Sequence, residues 1–301
     1  MKQPSTLLEA VRYFSNPDVC IAHVAALRWP NGVICPTCGR VDVSYLETQK
    51  RWQCKSRHAK RQFSVKIGTI FEDSPLGLDK WLPAVWMIIN AKNGVSSYEI
   101  ARALGVTQKT AWFMDHRIRA AMEYGSFDKK LDSPVEADET YIGGKMREEK
   151  GRFTNKTAIV GVVEKKKHIG QIRAFATKQA DATNTLPFLK QNLEEGATLH
   201  TDESKIYSRV KRTFIHESVN HSEKEYARGA ISTTTIDGFW NLFKRSYKGT
   251  YTHLSPAHLD RYVKEHTYRY NTRMLTDGQR FTEWFANCHR RLMYKNLISK
   301  A

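Results

Sequence analysis

Apolar positions along this chain recur with two periods, and the period changes near residue 130. Before it, spacings of three and four predict helices. Leu7, Leu8, Val11 and Phe14 mark one helix, and the turn Asn16-Pro17-Asp18 separates it from a second, Cys20 to Leu27. Val41 to Tyr45 and Arg51 to Cys54 are short enough for strands. Leu78 to Asn90 predicts a Trp-rich helix with Trp81, Val85, Ile88 and Ile89 turned inward. Ser96 to Thr107 carries the punctuation of a helix-turn-helix. Ser96 or Ser97 caps the first helix, Ala101 is small at the crossing and Gly105 allows the tight turn. Thr107 caps a second helix, Gln108 to Met122, with Ala111, Trp112 and Ile118 packing inward.

After residue 130 the pattern becomes strand-like. Val135 to Gly144 alternates, which places Glu136 and Asp138 on one face. Lys145 to Lys156 reads as a loop, Thr157 to Glu164 as an apolar strand, Lys165 to His168 as a turn and Gly170 to Ala176 as the returning strand. A helix then runs from Asp181 or Thr183 to Leu193, and a short strand, Ala197 to Thr201, ends at Asp202-Glu203. Ile231 to Leu254 opens on a Ser/Thr run and turns amphipathic, with Ile236, Phe239, Trp240 and Phe243 on one face. Ala257 to Arg273 carries Leu259, Tyr262, Val263, His266 and Tyr270 at helical spacing, and Phe281 to Lys300 reads as a basic terminal helix. Three antiparallel strands, a helix, a further strand and then helices predict a ribonuclease-H-like α/β domain with a mixed sheet. The expected segments are N-terminal helices (1–30), a zinc ribbon (31–72), a helix-turn-helix region (75–126), the α/β domain (131–275) and the basic C-terminal helix (276–301). A charged linker, Phe127 to Ser133, marks the boundary between the two halves.

Charge narrows the partners. A formal net charge of +17 favours a polyanion, meaning nucleic acid or an anionic membrane surface. No run of about 18 apolar residues is present, so no membrane span is expected. The start has no signal-peptide pattern, which leaves nucleic acid as the better partner. From its N-terminal turn the second helix of the helix-turn-helix would offer Gln108, Lys109 and Thr110 to a DNA groove, with Arg117 further along. Five cysteines are too few and too unevenly placed for a disulfide framework. Cys35 and Cys38 form a knuckle, and Cys54 with His58 supplies a second pair. Together they match a closed, structural zinc site of the Cys3His type. Cys20 reads as a small buried apolar residue.

Metal-dependent phosphodiester chemistry needs carboxylates converging on divalent cations. Asp138 on the first strand, Asp202 at the end of a later strand and Asp237 at a helix start are the natural set. Lys244 and Arg245 follow Asp237 by two turns, where they would grip DNA. Each acid also has an ordinary reading, since Asp is common at strand ends and helix starts. Glu136, Glu139 and Glu203 read as surface neighbours. Glu225 is a second choice for the third ligand; His216, His221 and His253 lie in the same domain, and His253 reads either as a phosphate contact or as a satisfied structural histidine.

The segments CPTCG, WQCKSRHAKRQFSVKIGTIFEDSPLGLDKW, VEADETYIGGK, HTDESKIY, IDGFWNLFKRSYKGTYTHLS and HLDRYVKEHTYRYNTR carry a resemblance over most of the chain. It resembles the bacterial insertion-sequence transposases of the DDE type, in the subgroup with an N-terminal zinc ribbon. The resemblance implies that Asp138, Asp202 and Asp237 hold Mg²⁺ (or Mn²⁺) and that Lys244 contacts DNA near the scissile phosphate. It also implies hydrolysis at the element end, then attack of the freed 3′-hydroxyl on target DNA. The resemblance further implies double-stranded DNA as the partner, with a homo-oligomer assembled on the terminal inverted repeats, in the bacterial cytoplasm at the nucleoid. Where the family shows Glu, this chain has Asp237, one methylene shorter. Two other readings stay open: a domesticated DNA-binding regulator, and a nuclease that does not join strands.

Overall fold

The computed structural model describes residues 4–123, 129–132, 134–144, 156–166, 169–220, 223, 225, 227–289 and 291–299, with the backbone of 148–149 and 152–153. Most of the expected loop from Lys145 to Lys156, part of the linker from Phe127 to Ser133, and His168 and His221 lie outside them. The chain divides into two compact units, Met1–Tyr124 with Leu275–Lys300, and Gly125–Met274.

The first unit opens with α1 (Leu7–Tyr13) and α2 (Pro17–Arg28). Asn16 ends the first and begins the second, because its side chain accepts the N–H groups of Asp18 and Val19 while Pro17 fixes the first helical position. Three strands follow, β1 (Val43–Leu46), β2 (Arg51–Cys54) and β3 (Gln62–Phe63), in one antiparallel sheet. Trp29, at the end of α2, meets Trp52 and Phe63 edge-on and ties this ribbon to the helices. The helix α3 (Leu78–Asn90) buries Trp81, Leu82, Val85, Trp86, Ile88 and Ile89. It is apolar nearly all round, as a central core helix must be. Next come α4 (Ser97–Leu104) and α5 (Gln108–Ala121). Ser96 and Glu99 close a capping box on α4, Gly105 takes φ +62°, and the Thr107 side chain accepts the Thr110 N–H to start α5. Of the four apolar positions that mark α1, Leu7, Leu8 and Val11 are exposed and Phe14 is in the core.

The second unit is built on one mixed sheet. Its first strand is β4 (Val135–Gly143); β5 (Glu148–Glu149) and β6 (Arg152–Phe153) form a small separate pair. The strands β7 (Lys156–Glu164) and β8 (Ile172–Thr177) complete an antiparallel meander with β4. After α6 (Ala182–Asn192) comes β9 (Thr198–Thr201), parallel to β4, and then β10 (Ile215–Ser218), parallel to β9. The order across the sheet is β10-β9-β4-β7-β8. A short pair, β11 (Ala227–Arg228) with β12 (Ile231–Ser232), leads into α7 (Thr234–Ser246), a single π-helical turn at Tyr247–Tyr251 and α8 (Leu259–Asn271). The strand β10 has no counterpart among the expected elements, because four residues with burial alternating at an edge leave too short a pattern.

The two faces of this sheet have different jobs. Val135, Ala137, Val162 and Leu199 pack beneath α6 with Leu189, Leu193, Tyr207 and Phe214. Ile142, Ile159, Val163 and Ile172 pack on the other face under Ile236, Phe239, Trp240 and Phe243 of α7 and Leu259 and Val263 of α8. At about 1.5–3 kcal/mol for each large apolar side chain fully buried, each layer contributes on the order of 10 kcal/mol before chain entropy is set against it. Gly161 on β7 is what lets α7 approach. A Cβ there would lie 2.8 Å from a Trp240 ring carbon and 3.3 Å from Ile236 Cδ1.

The chain then returns to the first unit. The expected single basic helix from Phe281 to Lys300 is two elements, α9 (Asp277–Ala286) and α10 (Tyr294–Ile298). Phe281, Trp284 and Phe285 are buried, and α9 packs against α2 and α3. Its spacing of i, i+3, i+4 marks a core helix, and the lysines and arginines around it obscured that pattern.

Candidate functional site

The first unit holds a thiol-imidazole cluster. Ligand atoms of Cys35, Cys38, Cys54 and His58 all lie within 4.8 Å of one another. Cys35 Sγ stands 3.5 Å from His58 Nε2, and Cys38 Sγ stands 3.7 Å from Cys54 Sγ. His58 Nδ1 contacts the Ala59 carbonyl at 2.6 Å, which points Nε2 inward. The hydrogen bond from His58 draws the Cys54 thiol down to about 6, so a thiolate forms readily. Three thiolates and an imidazole in this geometry fit structural zinc, and four protein ligands leave no position for a substrate. Cys20 and Cys288 take no part. Burial pushes both thiols up to about 12.

The second unit holds the acidic site, and the sheet register explains it. Val135 pairs with Leu199 and Glu136 with His200. Two residues beyond that pairing, Asp138 and Asp202 come at the same end of the two strands, near enough for the Asp202 charge to act on the Asp138 carboxyl. Asp202 follows the last residue of β9, and its Oδ1 accepts the Ser204 N–H at 3.0 Å. Asp237 lies in the first turn of α7, which covers the same face, and Thr233 Oγ1 donates to its Oδ2 at 3.4 Å. One turn on, Trp240 Nε1 donates to Asp138 Oδ2 at 2.9 Å. Burial first, and then the charges of Glu139, Asp237 and Asp202, push the Asp138 carboxyl up to about 8. Carboxylates that crowd one another into protonation form a site short of positive charge, which fits a divalent cation.

Glu136 and Glu139 are not the surface residues expected. Glu136 is fully buried on the α7 face, where its carboxylate accepts the N–H groups of Thr235 and Ile236. Glu139 points to the other face, where Tyr207 Oη and Ser204 Oγ donate to it at 3.2 and 3.5 Å. Burial and then Asp202 push it up to about 7. Alternation along β4 gave Glu136 its face, but only the approach of α7 shows that this face is closed there. Glu203 is exposed, as expected. Glu225 serves its own loop, accepting the Asn220 N–H at 3.1 Å. His216 bonds Thr201 Oγ1 at 2.8 Å, and His253 is exposed.

Lys244 stands seven residues after Asp237, two turns along the same side of α7, and is half-buried; Arg245 is exposed. On α5, Lys109 is exposed and sits 5.1 Å from the Tyr294 ring. Gln108 Nε2 donates to Ser97 Oγ at 2.9 Å, and the Thr110 and Thr107 hydroxyls are 2.9 Å apart. Arg117 is a correction. It is only 4% exposed, and its guanidinium donates to the carbonyls of Ile70, Glu72 and Leu292. A basic residue three turns into a helix reads as a groove contact in sequence, whereas here it stitches two loops to α5 and offers nothing to DNA.

The sheet order, with one helix beneath and two above, defines an α/β domain of ribonuclease-H-like architecture, joined to a zinc ribbon. Residues 130–271 match the model of the ISXO2-like transposase domain, and residues 15–59 match that of the transposase zinc-ribbon domain. Both matched models are of transposase domains, and the chain is similar to insertion-sequence transposases in its ribbon and in its α/β domain. A protein of the transposable element ISH50 from Halobacterium salinarum is 28% identical over 244 residues, covering 74% of this chain and 80% of that one. Among the described residues no helix is long and apolar enough to cross a membrane.

Proposed function

We propose that the protein cleaves and joins DNA at the ends of its own insertion sequence, using Asp138, Asp202 and Asp237 as ligands for Mg²⁺ or Mn²⁺. The observation that supports this reading most is that Asp138 feels the charges of both Asp202 and Asp237, brought to it by the end of β9 and the first turn of α7. A divalent ion there would activate the attacking oxygen and stabilise the leaving oxygen of an in-line displacement at phosphorus. The three aspartates hold and orient; none acts as a nucleophile. Lys244 meets the phosphate backbone close to the reacting bond, and Arg245 extends that contact. Helices α4 and α5 act as a helix-turn-helix, with Gln108, Lys109 and Thr110 at the groove and the zinc ribbon as a rigid neighbour. Two or more copies assemble on the terminal inverted repeats, in the cytoplasm where the chromosome lies.

The shorter carboxylate of Asp237 favours one other reading, a protein that binds element ends without cutting them. Incubation of the protein with terminal-repeat duplexes, Mg²⁺ and a target plasmid separates the possibilities. Strand-joined product is expected. Cleavage without joining would mark a nuclease, and tight binding with no product would mark a regulator.

A further inference from the structure

We propose that Glu136 is a positioning residue, which sets where Asp237 stands relative to Asp138 without touching the ion itself. The proposal rests on the reading of the three aspartates as metal ligands. Glu136 is a fully buried carboxylate on the sheet face that α7 and its apolar cluster cover. A charge so placed is destabilising unless each lone pair is met. Thr235 N–H donates at 2.7 Å and Ile236 N–H at 3.1 Å to Oε2; Thr235 Oγ1 and Ser232 Oγ each donate at 3.1 Å to Oε1. The Lys165 ammonium adds charge at 3.5 Å, and it also bonds Ser232 Oγ and the Ala230 carbonyl.

Four of these five donors belong to the first turn of α7 or to the strand that feeds it. The first N–H groups of a helix normally find their acceptor in the N-cap side chain. Here Thr233 directs its hydroxyl to Asp237 instead, and Glu136 takes over the capping from across the sheet. Ile236, whose N–H it holds, directly precedes Asp237. Glu136 also precedes Asp138 by two residues on the same strand and the same face. One rigid strand therefore carries both the clamp on α7 and the first acid. Trp240 closes the frame from the other side, donating to Asp138 while its ring fills the space left by Gly161. An aspartate at position 237 has a single methylene with which to adjust, so the backbone must be held where the ion needs it.

The test is Mn²⁺ binding to the full-length protein without DNA, followed by the paramagnetic resonance signal of free Mn²⁺. Glu136→Gln keeps the shape but sets an amide against the helix donors, and should weaken Mn²⁺ binding about tenfold or more, the usual effect of removing a group that orients a ligand. Thr235→Val removes one of the four hydrogen bonds and should weaken it about two- to threefold. Val263→Ala trims the same core from α8 and should lower the melting temperature while leaving Mn²⁺ affinity intact. Wild-type affinity in Glu136→Gln, with loss in Asp138→Ala, overturns the proposal alone. So does an equal loss in Val263→Ala. If Glu136→Gln fails to fold, Thr235→Val decides, and wild-type affinity there overturns it. Equal binding by wild type and Asp138→Ala overturns the ligand assignment and the proposal together.

Discussion

The zinc cluster and the acidic site are both groups of metal-type ligands, but they are built in opposite ways. The zinc ligands come from one stretch, Cys35 to His58, and converge to within 4.8 Å. The aspartates come from a strand, a strand end and a helix up to 99 positions apart. A local ligand set is written into one short stretch of chain. A distributed set exists only once a sheet and a helix have come together. The Cys54 thiol is drawn toward thiolate by a neighbouring imidazole, whereas burial and then the neighbouring acids raise Asp138 toward the neutral form.

Removing the zinc should have the largest effect. Cys54→Ala, or chelation, should release the metal and unfold residues 31–63, because that stretch buries little besides Trp52 and Phe63 around its ligands. Zinc content and limited proteolysis would check this, and a ribbon that stays protected without zinc would contradict it. Next, Asp202→Ala should lower single-turnover cleavage by about a thousandfold or more while the second unit stays folded, as measured by circular dichroism.

A third effect runs with pH. Asp138 and Glu139 titrate near 8 and 7 in the folded, metal-free protein, against ordinary values near 4. The folded state therefore binds more protons than the unfolded state between about pH 4 and pH 8, and stability falls as pH rises through that window. Melting of the metal-free protein should show that fall. Mg²⁺ at pH 8 should reverse it, and Asp138→Asn should flatten it. The smallest pair concerns α5. Arg117→Met should cost about 2–4 kcal/mol of stability by stranding three carbonyls, with the salt dependence of DNA binding unchanged. Lys109→Ala should leave stability alone and reduce the slope of log affinity against log salt by about one.

What the sequence made legible follows the same division. Helix caps at Asn16, Ser96, Thr107 and Asp181 sit where local chemistry put them. The zinc ligands were readable because their spacing is their geometry. The face shared by Glu136 and Asp138 follows from alternation along β4. What escaped depends on partners far along the chain. Glu136 is a capping group only because α7 arrives about 100 residues later. Arg117 is structural only because Ile70, Glu72 and Leu292 turn their carbonyls to it. The C-terminal segment belongs with the first unit through Phe281, Trp284 and Phe285, a helical stripe obscured by the lysines and arginines around it.

The central claim is that Asp138, Asp202 and Asp237 share bound cations. Fe²⁺ loaded in place of Mg²⁺, with peroxide, cuts the polypeptide beside wherever the ion sits. Cuts within a few residues of all three aspartates, suppressed by excess Mg²⁺ and absent from Asp138→Ala, are the predicted result. Cuts confined to the zinc ribbon, or the absence of any cut near Asp237, would contradict the account.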